Sequence, residues 1–343
     1  MPTEPTFMQR EIGEIPKAVE ELLADSKATL SDAGKRLRAR DPALLATIAR
    51  GSSDHAASYL KYAVELSAGI PVASIGPSIA SIFGARLKLG RAAAIAISQS
   101  GKSPDIVDMA KCASEGGALT IALTNTASSP LAEASDIVID IMAGMERSVA
   151  ATKTFVTSVV AGLLLLAEWT ENDGLRAALD GLPAQLEAAR LCDWTSLCEA
   201  LDGHESLFIL GRGPAFAIAN EAALKFKETC AVHAEAYSSA EVMHGPVSIV
   251  GKGFPILALI GRDAAENSVA ETADELVGKG ALVFATSAKA QAARQLPFVA
   301  TGHGLTDPLV LIVSFYSFIE AFARRRGLDP DRPTNLKKVT ETR

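Results

Sequence analysis

The chain has 343 residues, 48% of them hydrophobic, and 40 acidic side chains against 33 Lys and Arg, for a formal charge of −7. At roughly 100–200 residues per domain this length predicts two domains, and the apolar content excludes a disordered chain. The acidic balance excludes a nucleic-acid partner, because neutralising phosphates needs clustered cations, and 5% aromatic residues are too few for a base-stacking platform.

The start, Met1-Pro2-Thr3-Glu4, lacks the basic and apolar regions of a signal peptide. Met8 to Leu30 reads as an amphipathic N-terminal arm. Short apolar strands are predicted at Leu44–Ala49, Ala93–Ile97 and Gly117–Leu123, and again at Leu207–Leu210, Pro255–Ile260 and Gly280–Ala285. Helical patterns separate them. The uninterrupted apolar runs fit parallel strands covered on both faces. The more polar stretch Asn172–Trp194 is expected to hold connecting helices. Arg324-Arg325-Arg326 reads as a helix C-terminus, where cations offset the dipole. The tail from Asp329 is expected to be extended, ordered only where it packs on something. The longest purely apolar run, Val159–Ala167, falls short of the ~20 residues of a membrane span. Cys112, Cys192, Cys198 and Cys230 show no CxxC spacing, so no metal site is predicted and the four read as buried thiols in a reducing compartment. These features place the protein in the cytoplasm, away from membranes.

The pattern repeats. Ile97 to Ile260 and Gly117 to Gly280 are separated by 163 residues, and Gly51 to Gly211 by 160. A near-constant offset over three elements predicts a duplicated domain. The expected organisation is an arm (1–30), a first domain (31–195), a second domain (196–328) and a tail (329–343).

Ligands of open parallel sheets sit beyond the carboxyl ends of the strands. Two such ends in the first repeat carry small hydroxyl residues, Gly51-Ser52-Ser53 and Ser98-Gln99-Ser100-Gly101-Lys102-Ser103. Serine caps helices and forms turns, but two serine turns at corresponding sheet ends also suit a phosphate, with hydroxyls and helix N-terminal amides as donors. The second repeat has Gly211-Arg212-Gly213 and Gly261-Arg262-Asp263 instead, so a single phosphate belongs to the first. No P-loop sequence is present.

Glu221, Lys225 and Glu228 share one face of a predicted helix, as a solvated ion-pair stripe or as part of an acid–base set. His233, Glu235, Tyr237, Glu241 and His244 follow closely in an otherwise alanine-rich region. His244-Gly245-Pro246 is expected in a loop, where a histidine can exchange protons near neutrality.

Taken together, Ser98-Gln99-Ser100-Gly101, Lys225 with Glu228, His233-Ala234-Glu235-Ala236-Tyr237, His244-Gly245-Pro246 and Asn335-Leu336-Lys337-Lys338 resemble the SIS (sugar isomerase) family. The set is similar to the isomerase half of glutamine–fructose-6-phosphate aminotransferases. Phe7-Met8-Gln9-Arg10-Glu11-Ile12 with Pro16 resembles the segment that precedes the first SIS domain there. The resemblance covers nearly the whole chain and implies an α/β fold of two tandem SIS domains. Each would be a doubly wound parallel sheet between helical layers (α/β/α).

The chain begins without the cysteine nucleophile of the synthase's glutaminase domain, and its first cysteine is Cys112. It therefore looks more like the SIS-type glucosamine-6-phosphate deaminases, which release fructose 6-phosphate and ammonia; the alternatives are an isomerase of another amino-sugar phosphate, a fructosamine-phosphate deglycase, an ammonia-dependent glucosamine-6-phosphate synthase, or a non-catalytic phosphosugar-sensing module. Carried over residue by residue, the resemblance puts phosphate on Ser53, Ser98, Gln99, Ser100 and Ser103, with Ser52 adjacent and Lys102 where the synthase has an acid. Val149-Ala150-Ala151-Thr152-Lys153 matches a substrate-side segment in which Ala151 replaces a serine. Val149 and Lys225 would contact or support the sugar. Glu228 would shuttle a proton between C1 and C2. His244 would open the ring, reaching over from the partner subunit of a homodimer with a shared active site. Lys338 would form a Schiff base with the open-chain ketose. No cofactor is implied, and the partner implied is a phosphosugar substrate.

Overall fold

The structure is a computed structural model describing residues 4–336 and Lys338. Lys337, which the tail motif includes, lies outside the described residues, as do Met1-Pro2-Thr3 and Val339–Arg343. In chain order the first elements are α1 (Phe7–Asp25), α2 (Lys27–Arg40), β1 (Leu44–Ile48), α3 (Ser52–Ala68), β2 (Val72–Ser74), α4 (Ser78–Ser81) and β3 (Ala92–Ile97). Then come α5 (Pro104–Glu115), β4 (Leu119–Thr124), α6 (Pro130–Glu133), β5 (Ile137–Asp140), α7 (Lys153–Thr170) and α8 (Asp173–Asp180). The remainder is α9 (Leu182–Ala189), α10 (Thr195–Ala200), β6 (Ser206–Gly211), α11 (Pro214–Cys230), β7 (His233–Ser238), β8 (Pro255–Ala258), α12 (Glu266–Gly278), β9 (Leu282–Ala285), β10 (Arg294–Gln295) and α13 (Asp307–Arg325).

The chain forms two compact units. One contains Lys17–Glu146 and Lys153–Asp180; the other contains the residues up to Pro16, Arg147–Thr152 and Gly181–Lys338. The first holds an all-parallel sheet ordered β2-β1-β3-β4-β5, with Ala46 beside Ala94 in register. Its β3 reads Ala-Ala-Ala-Ile-Ala-Ile and is buried throughout, so α5 lies close on one face through Ile106, Met109 and Ala110. The other face is covered by α3 and by α7, which also packs on α2. By length and composition α7 could cross a membrane, because the helix runs through Lys153–Thr170 and adds Phe155 and Val156 to the apolar run Val159–Ala167. It is 83% buried inside the protein and serves as a core helix.

The second unit repeats the plan. Its parallel sheet is ordered β10-β9-β8-β6-β7, which is the first sheet's order element for element. The α12 residues Val269, Ala270, Ala273 and Leu276 cover one face, over Phe208, Leu210, Ile256 and Ala258. The α11 and α13 helices pack together on the other side, where Phe226, Phe315, Phe318 and Phe322 pack ring against ring.

The duplication places one match differently. Gly213, not Gly211, corresponds to Gly51. Both are N-caps of 17-residue helices, at φ 56°, ψ −135° and φ 59°, ψ −137°, a conformation that only glycine adopts readily. Their separation of 162 residues falls in line with the 163 of the other pairs. Each sheet also has five strands where three were expected. The additional β2, β5, β7 and β10 are short, polar or peripheral, and strands at a sheet edge need less apolar sequence. The N-terminal arm is not one element: α1 ends at Asp25 and α2 begins at Lys27, with the Ser26 hydroxyl turned back onto the Leu22 carbonyl. All four cysteines are free, but only Cys230 is buried, and burial pushes its thiol up to about 12. The other three are partly exposed, Cys112 on α5, Cys198 on α10 and Cys192 in the loop between α9 and α10.

Candidate active site

Two strand ends of the first sheet, β1 and β3, flank the point where strand order reverses, the position at which such sheets bind ligands. After β1 the chain turns at Gly51 into α3, with Ser52 and Ser53 as its first two residues, both partly exposed. After β3 comes Ser98, whose Oγ accepts from the Gly101 amide at 3.2 Å, and Ser100, whose Oγ accepts from the Lys102 amide at 3.3 Å. The Gln99 carbonyl accepts from the Asn125 amide. Gly101 has φ +62°, and a Cβ there would lie 2.1 Å from Ser129 Oγ, so the loop tolerates only glycine. Ser103 caps α5 through its backbone alone, without a side-chain cap hydrogen bond, as does Gly51 for α3. Two helix N-termini thus reach this edge; in the first turn of α5 Pro104 has no N–H and the Ile106 amide donates to Asp105 at 2.9 Å, while α3 opens on Ser52 and Ser53. Arg50 Nε donates to the fully buried Asp105 at 2.5 Å, tying the β1 turn to the first turn of α5. In this same region burial raises the Asp54 carboxyl above its ordinary value against the opposing charges of His55 and Arg50.

The equivalent edge of the second sheet differs in chemistry. Pro214 opens α11 and carries no N–H. The amide of Ala265, just before α12, donates to Asp263 at 2.7 Å, so that turn already holds a carboxylate. Arg262 is bound by Asp307 and lies 4.3 Å from the Phe298 ring centroid. This edge is already occupied by its own anions.

The second unit carries the acid–base set. Lys225 is fully buried on α11, with Nζ 3.1 Å from Glu221 Oε1 and 2.6 Å from Glu228 Oε2. Glu221 is also fully buried and accepts from the Tyr316 hydroxyl at 3.2 Å. The three residues are therefore a buried charge cluster and not a solvated stripe. Burial favours the neutral amine, but the charges of Glu221 and Glu228 outweigh it and hold the Lys225 ammonium above its ordinary pKa. Glu228, near the helix end, keeps 19% of its side chain exposed. One of its oxygens is fixed by Lys225, and the group as a whole is reachable.

Next to α11, β7 presents Glu235, which accepts from the Tyr237 hydroxyl at 2.8 Å. His244 is exposed and ends a 3-10 turn, Glu241–His244; Gly245, at φ 142°, separates it from a second turn, Pro246–Ile249. Sequence reasoning named these residues but read β7 only as a run of titratable groups; the alternation in His-Ala-Glu-Ala-Tyr-Ser was the available strand signal.

Lys338 Nζ donates to the Ser148 carbonyl at 2.6 Å, next to the partly buried Val149. Among the described tail residues, Asp331 packs on the N-terminal helix: it accepts from the Phe7 and Met8 amides at 2.6 and 2.8 Å and so caps α1. Sequence reasoning gave Asp331 and Glu11 no role, since contacts across 324 and 136 positions leave no local signal.

Residues 44–168 and 201–295 match the SIS domain. The glutamine–fructose-6-phosphate aminotransferase of Symbiobacterium thermophilum is 34% identical over 97% of this chain and 58% of its own length. The chain thus spans little more than half the length of that relative. Among solved structures, a protein from Silicibacter pomeroyi DSS-3 described as a candidate phosphosugar isomerase is 60% identical, with a TM-score of 0.93 over 95% of this chain and 100% of its own. The C-terminal domain of the aminotransferase from Francisella tularensis is 25% identical, with a TM-score of 0.84 over 97% and 99%. Two family matches that span both sheets, on a fold built twice to the same strand order, establish that the chain belongs to the SIS domain family.

Proposed function

We propose that the protein is a phosphosugar isomerase acting on an amino-sugar phosphate, converting glucosamine 6-phosphate to fructose 6-phosphate and ammonia. The observation that carries this reading is Glu228: a reachable carboxylate with one oxygen fixed by a buried ammonium, which is what shuttling a proton between neighbouring carbons requires. The serine turns of the first sheet, Ser52, Ser53 and Ser98-Gln99-Ser100 with Ser103, bind the phosphate.

In this mechanism His244, supplied by the partner subunit of a homodimer, moves a proton from the C1 hydroxyl to the ring oxygen and opens the pyranose. The C1 carbonyl acidifies the C2 proton, which Glu228 removes and returns to C1. The C1–C2 enolamine becomes a C2 imine, and water hydrolyses it to the ketose and ammonia. Lys225 holds Glu228 in place, and Lys338 forms a Schiff base with the open-chain ketose, releasing water; a second water hydrolyses that base, which frees the lysine and the fructose 6-phosphate. Val149 lines the sugar.

A coupled assay of the purified protein with glucosamine 6-phosphate tests the reading. Equal amounts of ammonium and fructose 6-phosphate support it. Aldose–ketose exchange of a phosphosugar without ammonium would keep the isomerase and exclude the deaminase. Phosphosugar binding without any turnover would identify a sensor in place of an enzyme.

A further inference from the structure

The acid–base cluster and serine turns do not use Glu11, yet this carboxylate is only 4% exposed. It sits one helical turn after the Phe7 and Met8 amides that Asp331 caps. Its Oε1 accepts from the Arg147 amide, and both its oxygens lie 3.3 Å from the Ser148 amide. Ser148 in turn offers its carbonyl to Lys338 Nζ at 2.6 Å, while its hydroxyl donates to the Pro330 carbonyl at 3.5 Å. Phe7 adds an aromatic contact, with the Arg147 guanidinium 5.5 Å from its ring centroid. The contacts close a ring: the tail caps α1, α1 grips the 147–148 backbone, and that backbone holds the tail's lysine.

We infer that Glu11 is a positioning residue for Lys338 and Val149. A buried carboxylate binding successive amides is a charge-assisted contact, stronger than a neutral one, and it fixes the peptide planes on either side. The Ser148 carbonyl points where those planes allow, and the lysine follows it. Without Glu11 the buried Ser148 amide and the partly buried Arg147 amide lose this acceptor, and the segment must turn to find another. Glu11 does not touch the reacting atoms; it acts through the Ser148 peptide. This inference rests on the proposed reaction for its effect on turnover, but not for its effect on Lys338.

The test compares Glu11→Ala and Glu11→Gln with the unaltered chain. Glu11→Gln keeps one acceptor oxygen and nearly the same shape, so it serves where Glu11→Ala fails to fold. Three quantities are read: amide exchange at Arg147 and Ser148, acetylation of Lys338 by acetic anhydride relative to the exposed Lys17, and kcat and KM with glucosamine 6-phosphate. The expected result is exchange about tenfold faster, Lys338 labelling altered about threefold or more, and kcat about tenfold lower at nearly constant KM, with the Gln variant intermediate. Faster exchange with unaltered Lys338 labelling would overturn the inference and reduce Glu11 to a structural cap. If the unaltered protein does not turn over glucosamine 6-phosphate, the reaction reading fails, while the labelling result still decides the role of Glu11.

Discussion

Lys225 stands between two carboxylates with no solvent around it, and its replacement exposes how much the cluster depends on it. Lys225→Met leaves Glu221 fully buried without its counter-charge, and a loss of about 3–5 kcal/mol is expected in urea denaturation. The double variant Lys225→Met with Glu221→Gln should recover much of that loss, because no naked charge remains. Glu228→Gln has a different effect: phosphosugar binding persists while turnover falls about 100-fold or more, read as kcat by the coupled assay. A pH effect belongs to His303. Burial lowers its pKa below 6.5, and its neutral Nδ1 accepts from the Leu305 amide at 3.2 Å. The unfolded chain therefore binds this proton first, and the stability that His303 contributes is present above pH 6.5 and lost as pH falls through the folded value. His303→Gln should flatten the decline in melting temperature on acidification from neutrality. The candidate residues were legible because their types are scarce in an alanine-rich chain. Their burial was not, since a stripe at i, i+4 and i+7 looks the same whether it meets water or a neighbouring helix.

Gly101 shows how a turn is fixed at the level of the element. Its positive φ and the Ser129 hydroxyl close behind it leave no space for a side chain. Gly101→Ala should destabilise the β3–α5 turn by about 1–3 kcal/mol and weaken binding of inorganic phosphate, measured by calorimetry beside the melting temperature. Asp331→Ala removes the side-chain cap of α1 and should cost about 0.5–2 kcal/mol. Central strands were legible to within a few residues, since β1, β3, β6 and β8 are continuous apolar runs. The edge strands were not: β2 spans only Val72–Ser74, and β7 alternates polar with small residues because one of its sides has no neighbouring strand. A similar limit hid the role of Asp331, which comes from contacts with a helix at the opposite end of the sequence.

At the scale of the whole molecule, the proposed sharing of His244 between subunits has a stoichiometric consequence. His244→Ala and Glu228→Gln should each lower turnover about 100-fold or more alone. Mixed after dissociation and allowed to reassociate, they form heterodimers with one intact site each, and about a quarter of the unaltered activity should return in the coupled assay. Failure of any activity to return would place His244 and Glu228 of one chain in the same site. The duplication itself was legible from spacing alone, but the match at Gly51 was two residues out. The sequence spacing pairs it with Gly211, the last residue of β6, whereas the backbone angles pair it with the glycine that starts the helix.

The twin turns at Gly51 and Gly213 have one further implication, for grafting. The matching bends give both crevices the same backbone entry into their helices. Serines alone would not refit the second crevice. Pro214 withholds one amide, and Asp263 already fills the neighbouring helix start with a charge of the wrong sign. A transplant of the phosphate site would have to evict both before any hydroxyl could serve.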